Sequence, residues 1–304
     1  MNSDSRPTLI VLTGPTAVGK TSVGIRLSQL FRAEILSADS RQFYREMKIG
    51  TARPSIEELS MTPHHFIGHL SIHENYNVSR FENDVISILE KLFRHNRYAL
   101  LVGGSGLYIN AVCHGIDDLP DPDDALRETL QNLLRNEGIE CLRSKLKDLD
   151  PVYYQEVDRS NPNRLIRALE VCMTTGIPFS TLRKKTLKER SFRIIKTGLT
   201  VPREELDKRI NERVELMMET GLLQEVMDLL PYRNLNALNT VGYKELFDYL
   251  DGTYSLRQAV EKIKTHTRRF AKRQVTWFKK DKEIHWFHPA DIDGIVEFIR
   301  SLGH

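Results

Sequence analysis

Cysteine is scarce in this chain: three in 304 residues, Cys113, Cys141 and Cys172, scattered without a pairing or metal-binding spacing. That excludes a disulfide framework and a cysteine cluster, and the expected compartment is the cytoplasm. No apolar run approaches a membrane span, so no membrane partner is expected. The first apolar stretch, residues 9–12, is too short for a signal peptide and runs directly into a glycine-rich turn. Internal repeats and low-complexity tracts are missing too. His64 and His65 are adjacent and lack a third ligand, so no metal site is expected there. Forty-four Lys and Arg against 41 Asp and Glu leave little net charge, and the composition is that of a globular protein large enough to bury a full core.

What is present begins with Gly14, Pro15, Thr16, Ala17, Val18, Gly19, Lys20 and Thr21, which fit the pattern of a phosphate-binding loop. The context fits as well, because an apolar strand precedes the loop and a helix-compatible stretch follows. Glycines let backbone amides close around phosphate oxygens, and the helix points its positive end at them. Lys20 is placed to reach the terminal phosphates and Thr21 to hold Mg²⁺.

Short apolar runs then alternate with helical patterns. Strands are expected at 8–13, 33–37 and 98–102, and helices at about 20–31 and 79–94. This predicts an α/β fold, a phosphate-loop NTPase-like parallel sheet flanked by helices. Ligands sit beyond the carboxyl ends of such strands, so the loops 14–21, 39–42 and 103–106 are expected to meet at one site. From about residue 116 the pattern turns wholly helical, and 116–190 is expected to be a helical insertion domain. Residues 1–115 and 191–304 form the core, with a strand at 194–199 and long helices at about 203–229 and 255–280.

Charge is unevenly distributed along the chain. Basic residues crowd 183–196 and 256–282, while acidic ones gather in 117–124. Such segregation suggests a polyanion larger than a nucleotide, although solvated helix faces are an alternative. In the last long helix, Val260, Ile263, Thr267, Phe270, Gln274 and Trp277 recur at spacings of three and four. Phe270 and Trp277 are therefore expected in the core, with basic side chains between them facing phosphates.

One departure from an ordinary phosphate-loop NTPase matters. Its second buried strand usually ends in an acid that helps hold Mg²⁺. Here 100–102 leads into Gly103, Gly104 and Ser105, and the acid at a comparable strand end is Asp39. Asp39 can help hold Mg²⁺, accept a proton from an acceptor substrate, or cap the next helix.

The phosphate loop, the run 37–45 (Ser-Ala-Asp-Ser-Arg-Gln-Phe-Tyr-Arg) and the run 49–52 (Ile-Gly-Thr-Ala) resemble the tRNA dimethylallyltransferase family. The resemblance continues in order through 63–65, 102–108, 161–170, 241–246 and 267–278, nearly the whole chain. It implies transfer of a dimethylallyl group from dimethylallyl diphosphate to N6 of adenosine 37, beside the anticodon of tRNA. On this reading the phosphate loop holds an isoprenoid diphosphate, with Lys20 and Mg²⁺ near Thr21 where leaving-group charge develops. Either Arg209 or Arg213, four apart on one helix face, assists. Asp39 is implied as the general base. Ser40, Arg41 and Gln42 hold the target base, and Ser105, where the family usually has Thr, supplies a hydroxyl near the amine. Arg127 and the segment Asn163, Arg164, Leu165, Ile166 and Arg167 match tRNA-contacting stretches. In that segment the arginines share a face while Leu165 and Ile166 turn inward. The expected partners are the tRNA anticodon stem-loop and the diphosphate donor, with the protein a monomer. Read on its loop alone, the chain also suits an ATP-dependent small-molecule or nucleoside kinase, or a nucleotide-gated RNA-binding protein.

Overall fold

In the computed structural model the described residues are 6–302 apart from 118, 122, 185 and 186. Asp118 and Lys185, members of the charged clusters above, lie outside them. The chain divides into two compact units, one made of the residues up to His114 together with those from Glu189 on, the other of Gly115–Lys188.

The first unit opens with β1 (Thr8–Thr13), α1 (Lys20–Phe31), β2 (Ile35–Ser37), a short α2 (Ile56–Met61) and β3 (His64–His65). Then come α3 (Val78–Leu92), β4 (Tyr98–Gly103) and α4 (Gly106–His114). The second unit holds α5 (Asp124–Glu137), α6 (Ile139–Leu149), α7 (Pro151–Glu156), α8 (Pro162–Thr175) and α9 (Phe179–Leu182). The first unit resumes with β5 (Arg193–Leu199), α10 (Arg203–Glu219), α11 (Leu222–Asp228) and α12 (Tyr243–Leu250). It closes with α13 (Leu256–Phe278), β6 (His285–Phe287) and α14 (Ile292–Leu302).

Six strands form one parallel sheet in the order β3-β2-β4-β1-β5-β6. The predicted α/β architecture is therefore present, with two strands more than expected. Both extra strands, His64–His65 and His285–Phe287, are two or three residues long. At that length no periodicity registers, and pairing to β2 and β5 alone defines them. The central strands are buried on both faces: every residue of β1 is inaccessible, and it pairs with β4 and β5 along its full length. Parallel strands with two covered faces are expected to be continuously apolar. One face packs on α1, α10 and α14 through Ile10, Leu27, Ile210 and Ile299; the other packs on α3 and α4 through Val11, Phe81, Leu101 and Val112.

A third apolar cluster joins α10, α11, α12 and α13, with Tyr243 fully buried. The single helix expected over about 203–229 is broken at Gly221, whose φ of 103° no helix accommodates. Helical periodicity continues across that break, so the pattern alone hid it. α13 begins with a capping box: the Ser255 hydroxyl accepts the Gln258 amide, and the Gln258 side chain accepts the Ser255 amide.

The second unit has its own core of Leu130, Leu142, Leu146, Leu165, Ile166 and Leu169. Asp123 caps α5 by accepting from the Ala125 and Leu126 amides, and Asn161 caps α8, with Pro162 in its first turn.

Candidate active site

Register brings the strand ends together. Thr13 lies opposite Gly103 and Gly198, and Ser37 opposite Val102, so the loops after β1, β2 and β4 leave the sheet side by side. They open into a cleft of about 830 Å³, whose walls include Thr16, Asp39, Ser105, Arg213, Phe270 and Trp277.

The loop after β1 is built for an anion. Gly14 has φ 147°, and a β-carbon there would stand 2.7 Å from the Leu199 carbonyl oxygen. Ala17 adopts a left-handed φ of 65°, a conformation that costs a non-glycine residue energy and is concentrated at functional loops. Gly19 caps α1 without a side chain, so the first-turn amides are aimed out of the helix end. Lys20 curls over the loop and donates to the carbonyls of Gly14 (3.0 Å) and Pro15 (2.7 Å). Desolvation lowers its pKa to about 8; the Asp39 carboxylate opposes the shift and Arg213 adds to it.

The two candidate arginines on α10 have different surroundings. Arg209 donates to the Val18 carbonyl (3.1 Å) and to Glu205 (2.6 Å), buttressing the loop from behind. Arg213 lines the cleft, with Nη1 3.4 Å from Thr16 Oγ1. Burial holds its pKa below the usual arginine value, against the pull of Asp39.

Across the cleft, Ser105 links the other two loops. Its amide donates to the Ala38 carbonyl (3.1 Å), while its hydroxyl accepts the Ser40 amide (3.0 Å) and donates to the Ser40 hydroxyl (3.3 Å). Gly103 is required here, since a β-carbon would sit 2.2 Å from the Ala38 oxygen. Asp39 Oδ1 accepts the Arg41 amide (3.2 Å), a local turn contact. The Arg41 guanidinium donates to the carbonyls of Asn236 and Ala237, both at 3.0 Å, while its side chain borders the cleft.

Gln42 departs from expectation. Its amide donates to the carbonyls of Thr51 and Ala52 (3.2 and 3.1 Å) and accepts from Ser37 Oγ (3.3 Å), and it does not border the main cleft. Both of its N–H bonds are spent holding a turn. That turn is fixed in its own right by Glu225, which accepts the amides of Lys48, Ile49 and Gly50 and the Tyr243 hydroxyl (2.6 Å). Nothing in the local pattern around Glu225 marks it as an anchor 175 residues away.

α13 is rotated from the expected orientation. Its inward stripe is Ala259, Ile263, Ala271, Gln274 and Phe278, so Phe270 and Trp277 are 40% and 39% exposed and face the cleft instead of the core. Spacings of three and four admit two neighbouring stripes on one helix; they share Ile263 and Gln274, and Phe270 and Trp277 belong to the outer one.

Beside Thr21 lies a small cavity of about 50 Å³, bordered by Lys20, Thr21, Ser37, Asp39 and Gln42. Hydroxyl, carboxylate and amide oxygens are hard donors, the set that Mg²⁺ takes, so these residues fit that ion. His64 and His65 border β2 instead: His65 Nε2 pairs with Glu34 (2.7 Å), and His64 Nδ1 meets the Thr62 carbonyl (2.8 Å). A second group that the sequence did not flag gathers His114, Asp281 and Glu283, with metal-ligand atoms within 4.8 Å of one another. Lys196 Nζ already bonds all three, at 2.9, 2.8 and 2.7 Å, and supplies the positive charge there. Burial would lower the Lys196 pKa, but the bonds to Asp281 and Glu283 hold it above its ordinary value.

In the second unit, Leu165 and Ile166 are 0% and 4% exposed, so their side chains belong to the core and cannot touch RNA. Asn163 and Arg164 are exposed. Arg127 and Arg167 both pair with Glu170 Oε2 (2.7 and 3.3 Å), and Arg167 also donates to the Pro120 carbonyl (2.7 Å). Glu170 is 1% exposed, and among the described residues its Oε1 has no hydrogen-bond partner. The two arginines therefore neutralise a buried carboxylate.

Fold and cleft together define an α/β enzyme of the phosphate-loop class, with a second half-site facing the loop. The model of the IPP transferase family matches residues 42–281, and the chain belongs to that family; it is an enzyme of the prenyltransferase type. It is 53% identical to the tRNA dimethylallyltransferase of Christiangramia forsetii, over 96% of this chain and 97% of that protein. With tRNA dimethylallyltransferase 1 of Bacteroides thetaiotaomicron it shares 50% identity over 97% and 96%. Among solved structures, the tRNA isopentenylpyrophosphate transferase of Bacillus halodurans is 35% identical, with 98% and 97% covered and a TM-score of 0.72. A eukaryotic dimethylallyltransferase acting on tRNA is 28% identical, with 94% and 75% covered and a TM-score of 0.77.

Proposed function

We propose that the chain transfers the dimethylallyl group of dimethylallyl diphosphate to N6 of adenosine 37 in tRNA, releasing diphosphate. The observation that carries this reading is the cleft itself, where a phosphate loop with Lys20 and Arg213 faces Asp39 and Ser105. The loop amides, Lys20 and Arg213 bind the diphosphate and stabilise the charge that builds as the allylic C1–O bond breaks. N6 attacks C1, the new C1–N6 bond forms, and the oxygen of the departing diphosphate keeps the bonding pair. Asp39 takes the proton lost by N6, and the Ser105 hydroxyl holds the amine toward C1. Thr21 and Ser37 would hold Mg²⁺, which supplies further positive charge at the diphosphate when bound.

An adenine stacked in an anticodon loop cannot reach this cleft without being extruded. Phe270 and Trp277 offer faces for stacking, and Ser40 and Arg41 border the same space. The basic side chains of α13 and the exposed Asn163 and Arg164 suit the RNA backbone. Arg127 and Arg167 would act chiefly by shaping α8. The Gly115–Lys188 unit is thus assigned to tRNA contact, and the enzyme is assigned as a cytoplasmic monomer. ATP-dependent phosphorylation is less suited, because β4 runs into Gly103, Gly104 and Ser105 without an acid.

The test is to incubate the protein with Mg²⁺, dimethylallyl diphosphate and unmodified tRNA, then weigh the digested nucleosides. Prenylated adenosine confined to the position beside the anticodon supports the reading. No product, together with ATP turnover on a small acceptor, overturns it.

A further inference from the structure

The inward stripe of α13 contains one amide among apolar side chains, Gln274, 7% exposed. A buried carboxamide is costly unless its polar atoms are bonded, so its partners reveal what it does. Oε1 accepts the Thr16 amide at 2.8 Å, and Nε2 donates to the Gly104 carbonyl at 3.0 Å. One side chain thus bridges the phosphate loop and the glycine-rich loop on the opposite side of the cleft.

Three consequences follow. The Thr16 N–H is spent on Gln274, which fixes which amides of the loop remain aimed at an anion. A β-carbon on Gly104 would stand 2.3 Å from Gln274 Nε2, so any side chain there displaces the bridging amide. Beyond Gly104, Ser105 receives the Ser40 amide next to Asp39, so the bridge continues through hydrogen bonds to the base. We propose that Gln274 is a positioning residue that sets the gap between the donor diphosphate and the acceptor amine. This rests on the transfer reaction proposed above, in which attacking nitrogen, C1 and leaving oxygen must align.

The experiment compares Gln274→Met, Gln274→Glu, Gly104→Ala and Gly104→Ala in a Gln274→Ser background. Single-turnover transfer is followed with saturating dimethylallyl diphosphate and tRNA, so that the rate constant reports active complexes only. Methionine keeps the length and the packing and removes both hydrogen bonds. Its rate constant is expected to fall about a hundredfold, the effect of roughly 1 Å of misplacement. Both KM values should stay within about threefold. Glutamate keeps the bond to Thr16 and loses the one to Gly104, so about a tenfold fall is expected, and this variant decides the matter if the methionine protein does not fold. Gly104→Ala should slow the wild-type background about a hundredfold but the Gln274→Ser background less than about threefold, because the clash is gone.

A purely structural role would lower the melting temperature and the active fraction while leaving the rate constant unchanged. Wild-type rate constants in the Gln274 variants, or an equal effect of Gly104→Ala in both backgrounds, would overturn the proposal. Failure of the unsubstituted enzyme to prenylate tRNA at all would instead refute the transfer reaction, and the proposal with it.

Discussion

Replacing Arg213 and Arg209 separately by methionine should have very different consequences, although the two lie four residues apart on α10. Arg213 borders the cleft, 3.4 Å from the Thr16 hydroxyl, and is sufficiently desolvated that its pKa is lowered. A charge-assisted donor at the developing diphosphate in such a setting is worth about 3 to 4 kcal/mol of transition-state stabilisation, or about 10² to 10³ in kcat. Lys20 and the loop amides remain in the variant, which places the expected loss near the lower end, about a hundredfold. Arg209 donates instead to a neutral carbonyl, that of Val18, and to a partly exposed Glu205. Losing those contacts should cost about 1 kcal/mol of loop stability and no more than about tenfold in rate. Single-turnover transfer from saturating donor, with calorimetric binding of diphosphate alongside, separates the two. A loss in Arg209→Met equal to or larger than that in Arg213→Met would refute the assignment of Arg213 to the diphosphate.

Four further outcomes are expected. Lys20, with its pKa lowered to about 8, is charged below that pH in the free enzyme and neutral above it. Bound diphosphate raises that pKa, so donor affinity should be flat below pH 8 and fall by up to about tenfold per pH unit above it; calorimetry across pH 6.5 to 9.5, roughly, would check this. Phe270→Ala should leave the unfolding free energy within about 1 kcal/mol, since the ring is exposed, yet weaken anticodon stem-loop binding by about 1 to 3 kcal/mol. Arg127→Met leaves the buried Glu170 with Arg167 as its remaining cationic partner and should cost about 1 to 3 kcal/mol by urea unfolding, discounted because Arg127 is one-third exposed. Arg164→Met, on the exposed start of α8, should leave stability alone and weaken tRNA binding.

Much of the cleft was legible because a parallel sheet constrains where its loops go. Once β1, β2 and β4 were recognised as apolar runs, the loops 14–21, 39–42 and 103–106 had to emerge at one edge. What escaped depended on partners distant in sequence. β3 and β6 exist through pairing, and Gln42 spends its amide on a turn that Glu225 anchors from another helix. Leu165 and Ile166 sat within a stretch expected to contact tRNA, where the resemblance marked the segment and burial sorts its members. On α13 the apolar spacing allowed two stripes one residue apart. Ile263 and Gln274 belong to both, and burial of Ala259, Ala271 and Phe278 in place of Val260, Phe270 and Trp277 depends on what packs against the helix, which spacing does not encode.

The most direct test of the account is Asp39→Asn in single-turnover transfer, with donor binding measured separately on the same protein. Asparagine keeps the size and the turn contact to the Arg41 amide but cannot take the N6 proton. The transfer rate is expected to fall by about 10² to 10⁴, with diphosphate binding and tRNA binding little changed. Transfer at the wild-type rate would contradict it, because the carboxylate facing the phosphate loop would then have no part in the chemistry.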